Sequence, residues 1–285
     1  MKLVIAIALF IAASCEKSSS HEPLPAPPSN DGVQLLTLGD EPKRVLRYHL
    51  LKGAHAPLEI AMDLDLEVQP RPMKMPTIAM TLDIGVDDIL ADGSAKLRTV
   101  IKDVALRDRA GATLDAATLT PMKDMLLGLT YESTLSPDGT MTKGQVSGGQ
   151  SRMRNQVEDM TRAIEQVAMR LPVVPVGVGA KWSSKKTVQQ NGITMTTVTT
   201  TQLTAIDGDR FEFTTLTTLS APDQKTTQQG MELEIKDVGG SGSGKGSVDT
   251  ATMVMHGEIG SEFRGTVTSG GQTAPMRVVM KLTMK

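Results

Sequence analysis

Leu58, Ile60, Met62, Leu64, Leu66 and Val68 alternate with Glu59, Ala61, Asp63, Asp65, Glu67 and Gln69, an order that suits a strand and no helix. A period of two gathers the apolar set on one face and the carboxylates on the other, whereas a helix would scatter both around its axis. The pattern returns in Ile78, Met80, Leu82, Ile84 and Val86, and again in Met276, Val278, Met280, Leu282 and Met284. Shorter instances are Phe211-Phe213, Met231-Leu233-Ile235, Met253-Met255 and Phe263-Val267. One face buried and one wet is the mark of antiparallel sheet rather than of a doubly wound parallel one. Asp92-Gly93, Pro137-Asp138-Gly139, Asn191-Gly192 and Asp207-Gly208 supply hairpin chemistry between such runs. Thr196 to Thr204 favours strand geometry but offers little to anchor register.

One segment has another period. Met153, Val157, Met160, Ile164, Val167 and Leu171 fall on one helical stripe, with charged residues around it and Pro172 as a stop. A helix over 151–171 would be about 30 Å long, enough to lie across a sheet. A shorter helix is expected near Leu114 to Leu127, interrupted by Pro121. The expected fold is therefore mainly β, a β-rich α+β architecture: a strongly curved or partly closed antiparallel sheet with one long amphipathic helix packed on it.

The N-terminus is of a different kind. Lys2, the apolar run Leu3 to Ile11 and the small residues Ala12-Ala13-Ser14 precede Cys15, the one cysteine of the chain. A charged start, a short apolar run and small residues read as a secretion signal, too short to span a bilayer. The triplet ending at Cys15 resembles the lipobox of bacterial lipoproteins, in which that thiol is lipidated and becomes the new N-terminus. Glu16, rather than Asp, after the Cys implies by the same analogy the outer membrane. Beyond it, Pro23-Leu24-Pro25-Ala26-Pro27-Pro28 has almost nothing to bury, as a tether requires. The expected organisation is a signal peptide over 1–14, a lipidated tether over 15–40, and one β-rich domain over 41–285 whose two β halves are joined by the helix at 151–171.

Charge narrows the partners. Thirty basic and 32 acidic side chains with no long single-sign run argue against nucleic acid. Two Tyr, one Trp and four Phe are too few for the aromatic girdles of a transmembrane barrel.

Leu46-Arg47-Tyr48 with Lys52-Gly53, Asp88 through Ala95, Leu135-Ser136-Pro137-Asp138-Gly139, and Leu171-Pro172 through Pro175 and Gly179 to Trp182 occur in that order. With the Gly-Ser run before Val248-Asp249 and the Met-rich last strand, they resemble an uncharacterised family of bacterial secreted lipoproteins, a domain of unknown function. The resemblance runs from about Val45 to Lys285, and it implies no catalytic residues.

Sites of chemistry are sparse. Gly239 to Ser247 looks at first like a phosphate loop, but Gly246 stands where Ser or Thr must follow Gly-Lys, and the run reads as a flexible hairpin loop. No Gly-x-Ser-x-Gly elbow or zinc pattern occurs, and the four His are dispersed. No cofactor or metal is expected. Met73-x-Met75 and Met253-x-Met255 offer thioethers to copper(I), but the second pair has core spacing. The oddity is 18 Met against four Phe. Met62, Met80, Met280 and Met284 share the apolar face, and pliable thioethers suit an apolar-ligand surface as well as a core. The expectation is a membrane-anchored envelope lipoprotein that binds an apolar or lipid ligand, or a protein partner, without catalysis. A structural or assembly role is the alternative, and an enzyme comes third.

Overall fold

A computed structural model describes residues 32–68, 71–142, 144–148, 169–190, 193–228 and 231–285. The first half of the chain contributes β1 (Val33–Thr37), β2 (His55–Val68), β3 (Arg71–Lys74), β4 (Thr77–Ile89), β5 (Ala95–Arg107), the helix α1 (Ala116–Leu126), β6 (Thr130–Leu135) and β7 (Gln145–Ser147). The second contributes β8 (Lys181–Gln190), β9 (Ile193–Asp207), β10 (Arg210–Ala221), β11 (Gln224–Gln228), β12 (Met231–Asp249), β13 (Met255–Ser269) and β14 (Gln272–Met284). They form one 14-stranded sheet ordered β1-β8-β9-β10-β12-β13-β14-β2-β4-β5-β6-β7, with β11 also on β12 and β3 also on β2.

The three long alternating runs are β2, β4 and β14, and the structure sets them side by side. Turn chemistry closes the hairpins as its residues require. Asp207-Gly208 joins β9 to β10, and Gly93 in the β4–β5 turn has φ +83°. Gly270 and Gly271, at +57° and +77°, make the two-residue connection between β13 and β14 that the right-handed twist of the strands favours.

Four expectations need correction. The sheet is not partly closed, because β1 and β7 leave it with two edges. The helix expected over 151–171 falls on 151–168, outside the described residues, and its last three residues, 169–171, are not helical. The one helix among the described residues is α1, capped by the Asp115 carboxylate accepting from the Ala117 N–H and carrying Pro121 on its exposed side. Val33–Thr37, inside the stretch expected to be tether, is strand β1 on β8, since Val33 is buried and Leu35 packs on the core.

The fourth correction is the largest. Gly239 to Ser247 is not a loop but the middle of β12, paired residue for residue with β10 on one side and β13 on the other. Its backbone N–H groups serve the ladders, where a phosphate loop would aim them at an anion. The alternation Gly-Ser-Gly-Ser-Gly-Lys-Gly was itself a period of two, hidden because the inner residues have no side chain. A Cβ on Gly246 would lie 2.5 Å from the His256 carbonyl, one on Gly242 2.8 Å from that of Gly260, and one on Gly244 3.0 Å from that of Glu258. Glycine is what lets the strands crowd together on this face, as at the kinks that bend a sheet.

The wet face is neutralised by its own ion pairs. Arg107 holds Glu59, Arg109 holds Asp65, and Arg277 lies between Glu67 and Glu262, which also takes Arg264. Hydrogen bonds from Arg277 and then Arg264 bring the Glu262 carboxyl down from 4.5 to about 2. A folded-state pKa below the unfolded one stabilises the fold above about pH 4.5 and stops doing so as pH falls through 2. Thermal melts across that window should therefore show wild type losing its advantage over Glu262→Gln, and a gap that stays constant with pH would contradict the pairing.

Candidate functional site

Residues directly opposite each other across an antiparallel ladder share a face, so the inner face can be followed in rows running across the strands. The row Phe263, Val278 and Leu66, on β13, β14 and β2, is fully buried. Two residues along, Ser261 and Met280 are half-buried while Leu64 beside them is buried. In the next row Ile259, Leu282 and Met62 are all half-buried before Ile78 on β4 closes it. A further two residues along, Met284 and Ile60 are buried again. The middle of this apolar face is thus more open than its borders. A close-packed core shows the opposite, with its centre the most deeply buried part.

Of the four methionines singled out from sequence, Met62 and Met280 lie in this window. Met284 is not on it: it is buried beside Ile60 and forms the wall, because it closes the end of β14 against the core. Met80 is half-buried one strand further out, opposite Ile60. Sequence reasoning missed Ile259, whose flanks Glu258 and Gly260 give no apolar rhythm, and the glycine track Gly242-Gly244 that continues both rows onto β12. The copper(I) reading loses its donors to packing, since Met75, Met253 and Met255 are buried in the core. Met253, expected within a strand, sits in the turn before β13 with φ +61°.

The motifs that carried the family resemblance meet at one end of the sheet, and their work there is structural. Arg47 donates to the carbonyls of Pro172 and Val173, at 2.8 and 2.9 Å. The Tyr48 hydroxyl accepts from the Met169 N–H, and burial pushes its pKa up. The Trp182 indole N–H donates to the Arg170 carbonyl at 3.0 Å, and the Leu171 N–H to that of Asp138 at 2.8 Å. Gly139 has φ +84°, and a side chain there would run into the Met169 carbonyl.

Two histidines have acidic neighbours, His49 with Asp209 at 3.4 Å and His55 with Asp83 at 3.3 Å, all four side chains partly or largely exposed. The other nitrogen of His49 faces the Arg47 carbonyl, and no serine or cysteine is hydrogen-bonded to either ring among the described residues. The arrangement lacks the nucleophile that a triad needs. A polar hollow of about 140 Å³ lined by Ala205, Asp207, Arg210 and Glu212 lies at the β9–β10 turn. It is well below the roughly 300 Å³ at which small-molecule sites begin.

Fold and face together define an open antiparallel β-sheet protein with a partly uncovered apolar surface. Residues 124–254, from the last turn of α1 to the turn after β12, match a family of unknown function, DUF6263. The match takes in Leu135–Gly139, Leu171–Trp182 and the glycine track, and leaves out Leu46–Tyr48, Asp88–Ala95 and β14. No curated protein matches the chain.

Proposed function

We propose that this protein is a lipid-anchored bacterial envelope protein that holds an apolar ligand, without catalysis, on the inner face of its sheet. The observation that carries the reading is the window formed by Ile259, Ser261, Met280, Leu282 and Met62, half-buried and bordered by the buried Phe263, Val278 and Leu66 on one side and by Met284 and Ile60 on the other. Apolar surface left partly in water costs about 25 cal/mol per Å², and a ligand that covers it recovers that amount. Thioethers adapt to chains of varied shape, which suits a carrier better than a rigid aromatic pocket would. The anchor is Cys15, reached through the Pro-rich stretch before β1, and lipidation there would place the sheet at the outer membrane.

The test is saturable binding of a fluorescent fatty-acid analogue to the full chain carrying Cys15→Ala, in detergent-free buffer, with displacement by unlabelled fatty acid. Signal that rises without limit, or is not displaced, would count against a site. The same substitution should abolish metabolic labelling by fatty acid and release the protein from membranes; persistent labelling would remove the anchor from the proposal. A scaffold role without ligand is the second reading. It is favoured by the packing of Met62, Met80 and Met280 against the one large core cluster.

A further inference from the structure

The inner face changes character from one side of the glycine track to the other. On β13, β14 and β2 it is apolar, as described. Followed the other way, the row through Gly242 runs to Thr217, Thr199 and Ser184 on β10, β9 and β8, and the row through Gly244 runs to Thr215 and Thr201. The third row, through Gly240, ends at Thr197 and Lys186. Hydroxyls therefore face the same side as the methionines, and Thr197, Thr199, Thr217 and Lys186 are all half-buried.

Charge is segregated with unusual completeness. The carboxylates of β2, β10, β12 and β13, among them Glu59, Asp63, Asp65, Glu67, Glu212, Glu234, Glu258 and Glu262, occupy the alternate positions and so the outer face. Among the described residues of β8, β9, β10, β12, β13, β14 and β2, Lys186 is the one charged side chain whose register places it on the inner face. Among the described residues it has no ion-pair partner, which Lys185 and Lys245 on the wet outer face also lack, whereas Lys225, Lys236 and Lys281, on β11, β12 and β14, each have a glutamate within 4 Å. A half-buried ammonium without a counter-charge is costly, and it attracts an anion that arrives with its own desolvated tail.

The geometry points to a single amphiphile site: an anionic head, carboxylate or phosphate, at Lys186 among the Ser184, Thr197 and Thr199 hydroxyls, with the apolar chain crossing the glycine track to Ile259, Met280 and Met62. This rests on the apolar-ligand reading above and adds the chemistry of the head and the direction of the chain. Four strand spacings of ~4.8 Å separate β8 from β13, so about 19 Å of chain carries a head held at Lys186 to the edge of the apolar window at Ile259 and Ser261. Along the row through Gly242 the middle of that path carries no side chain and its neighbours Thr217 and Ser261 are half-buried, whereas over Gly244 the Thr215 and Ile259 side chains already close the surface, so the chain is routed past Gly242.

The experiment is displacement of the fluorescent fatty-acid analogue from the full chain carrying Cys15→Ala by three competitors of equal chain length: palmitate, hexadecyl phosphate and hexadecanol. Both anions should compete about tenfold better than the alcohol, the size of one charge-assisted hydrogen bond. Lys186→Gln should remove that preference and leave hexadecanol unchanged, Lys186→Arg should restore it, and Lys185→Gln, on the outer face, should have no effect. Whichever anion competes better identifies the head as a free carboxylate or a phosphate. Equal competition by all three in wild type, or an equal loss of all three in Lys186→Gln with an unchanged melting temperature, overturns the head-group assignment while the apolar site stands. No binding of the probe at all overturns both.

Discussion

Gly246→Val is expected to destabilise the protein by about 3 kcal/mol or more, at the upper end of what overpacking costs, while Gly260→Val should cost almost nothing. The two glycines lie on opposite faces of adjacent strands. At 246 a new Cβ would stand 2.5 Å from the His256 carbonyl and 3.1 Å from the Phe213 ring, and backbone on the neighbouring strand cannot swing aside as a side chain can. At 260 a Cβ meets nothing within 4 Å, and a β-branched residue suits a strand better than glycine does. For a chain of this size the first change should lower the melting temperature by roughly 10 °C, and the second should leave it level or raise it. Circular dichroism melts of the two variants decide the matter. Similar shifts for both would mean that the glycine track is not a close approach of strands, and the bend argued from it would fail.

Met280→Trp is expected to weaken binding of the fluorescent fatty-acid analogue by tenfold or more with only a modest change in stability. Met280 stands between Ser261 and Leu64, half-buried, with a small neighbour and then Gly242 on the side toward β12. An indole can extend over Ser261 into that space. A Trp ring covers on the order of 150–250 Å², a large share of what a single apolar chain would cover there. If protein already fills the space, the same change overpacks it, costs about 1–3 kcal/mol and has no binding to abolish. Titration and melt of one variant thus separate carrier from scaffold: a strongly destabilised variant of a protein with no saturable binding leaves the scaffold.

Strands with large apolar residues at every second position were legible from sequence, because their alternation and their burial are the same fact. β2, β4 and β14 are of this kind. β12 was not, although its period is equally strict, because a hydrophobic pattern cannot register a face made of hydrogen atoms. β1 is too short to show a period beside the proline-rich stretch before it. Order across the sheet was beyond reach for another reason. Nothing in the side chains of β14 announces that it will pair with β2, which lies some 210 residues away in the chain, as in the Arg277 to Glu67 bond. Of the site, Met62 and Met280 were recognisable by their face. Lys186 was not, since its inward orientation follows from register with Thr197 alone.

The position of β14 has a consequence for how the molecule comes into being. Strands β2 to β7 form one contiguous group and β8 to β13, with β1, another; β14 is the one strand that joins them, through β13 on one edge and β2 on the other. During synthesis each group can begin to assemble from local hairpins, but the seam waits for β14, which follows every other strand of the sheet in chain order. Until then β2 exposes an unpaired edge and the apolar row Ile60 to Leu66, a surface of the sort that sticks to other chains. Late, non-local closure makes the sheet slow to mature, and loss of β14 would split it into its two groups rather than merely shorten it.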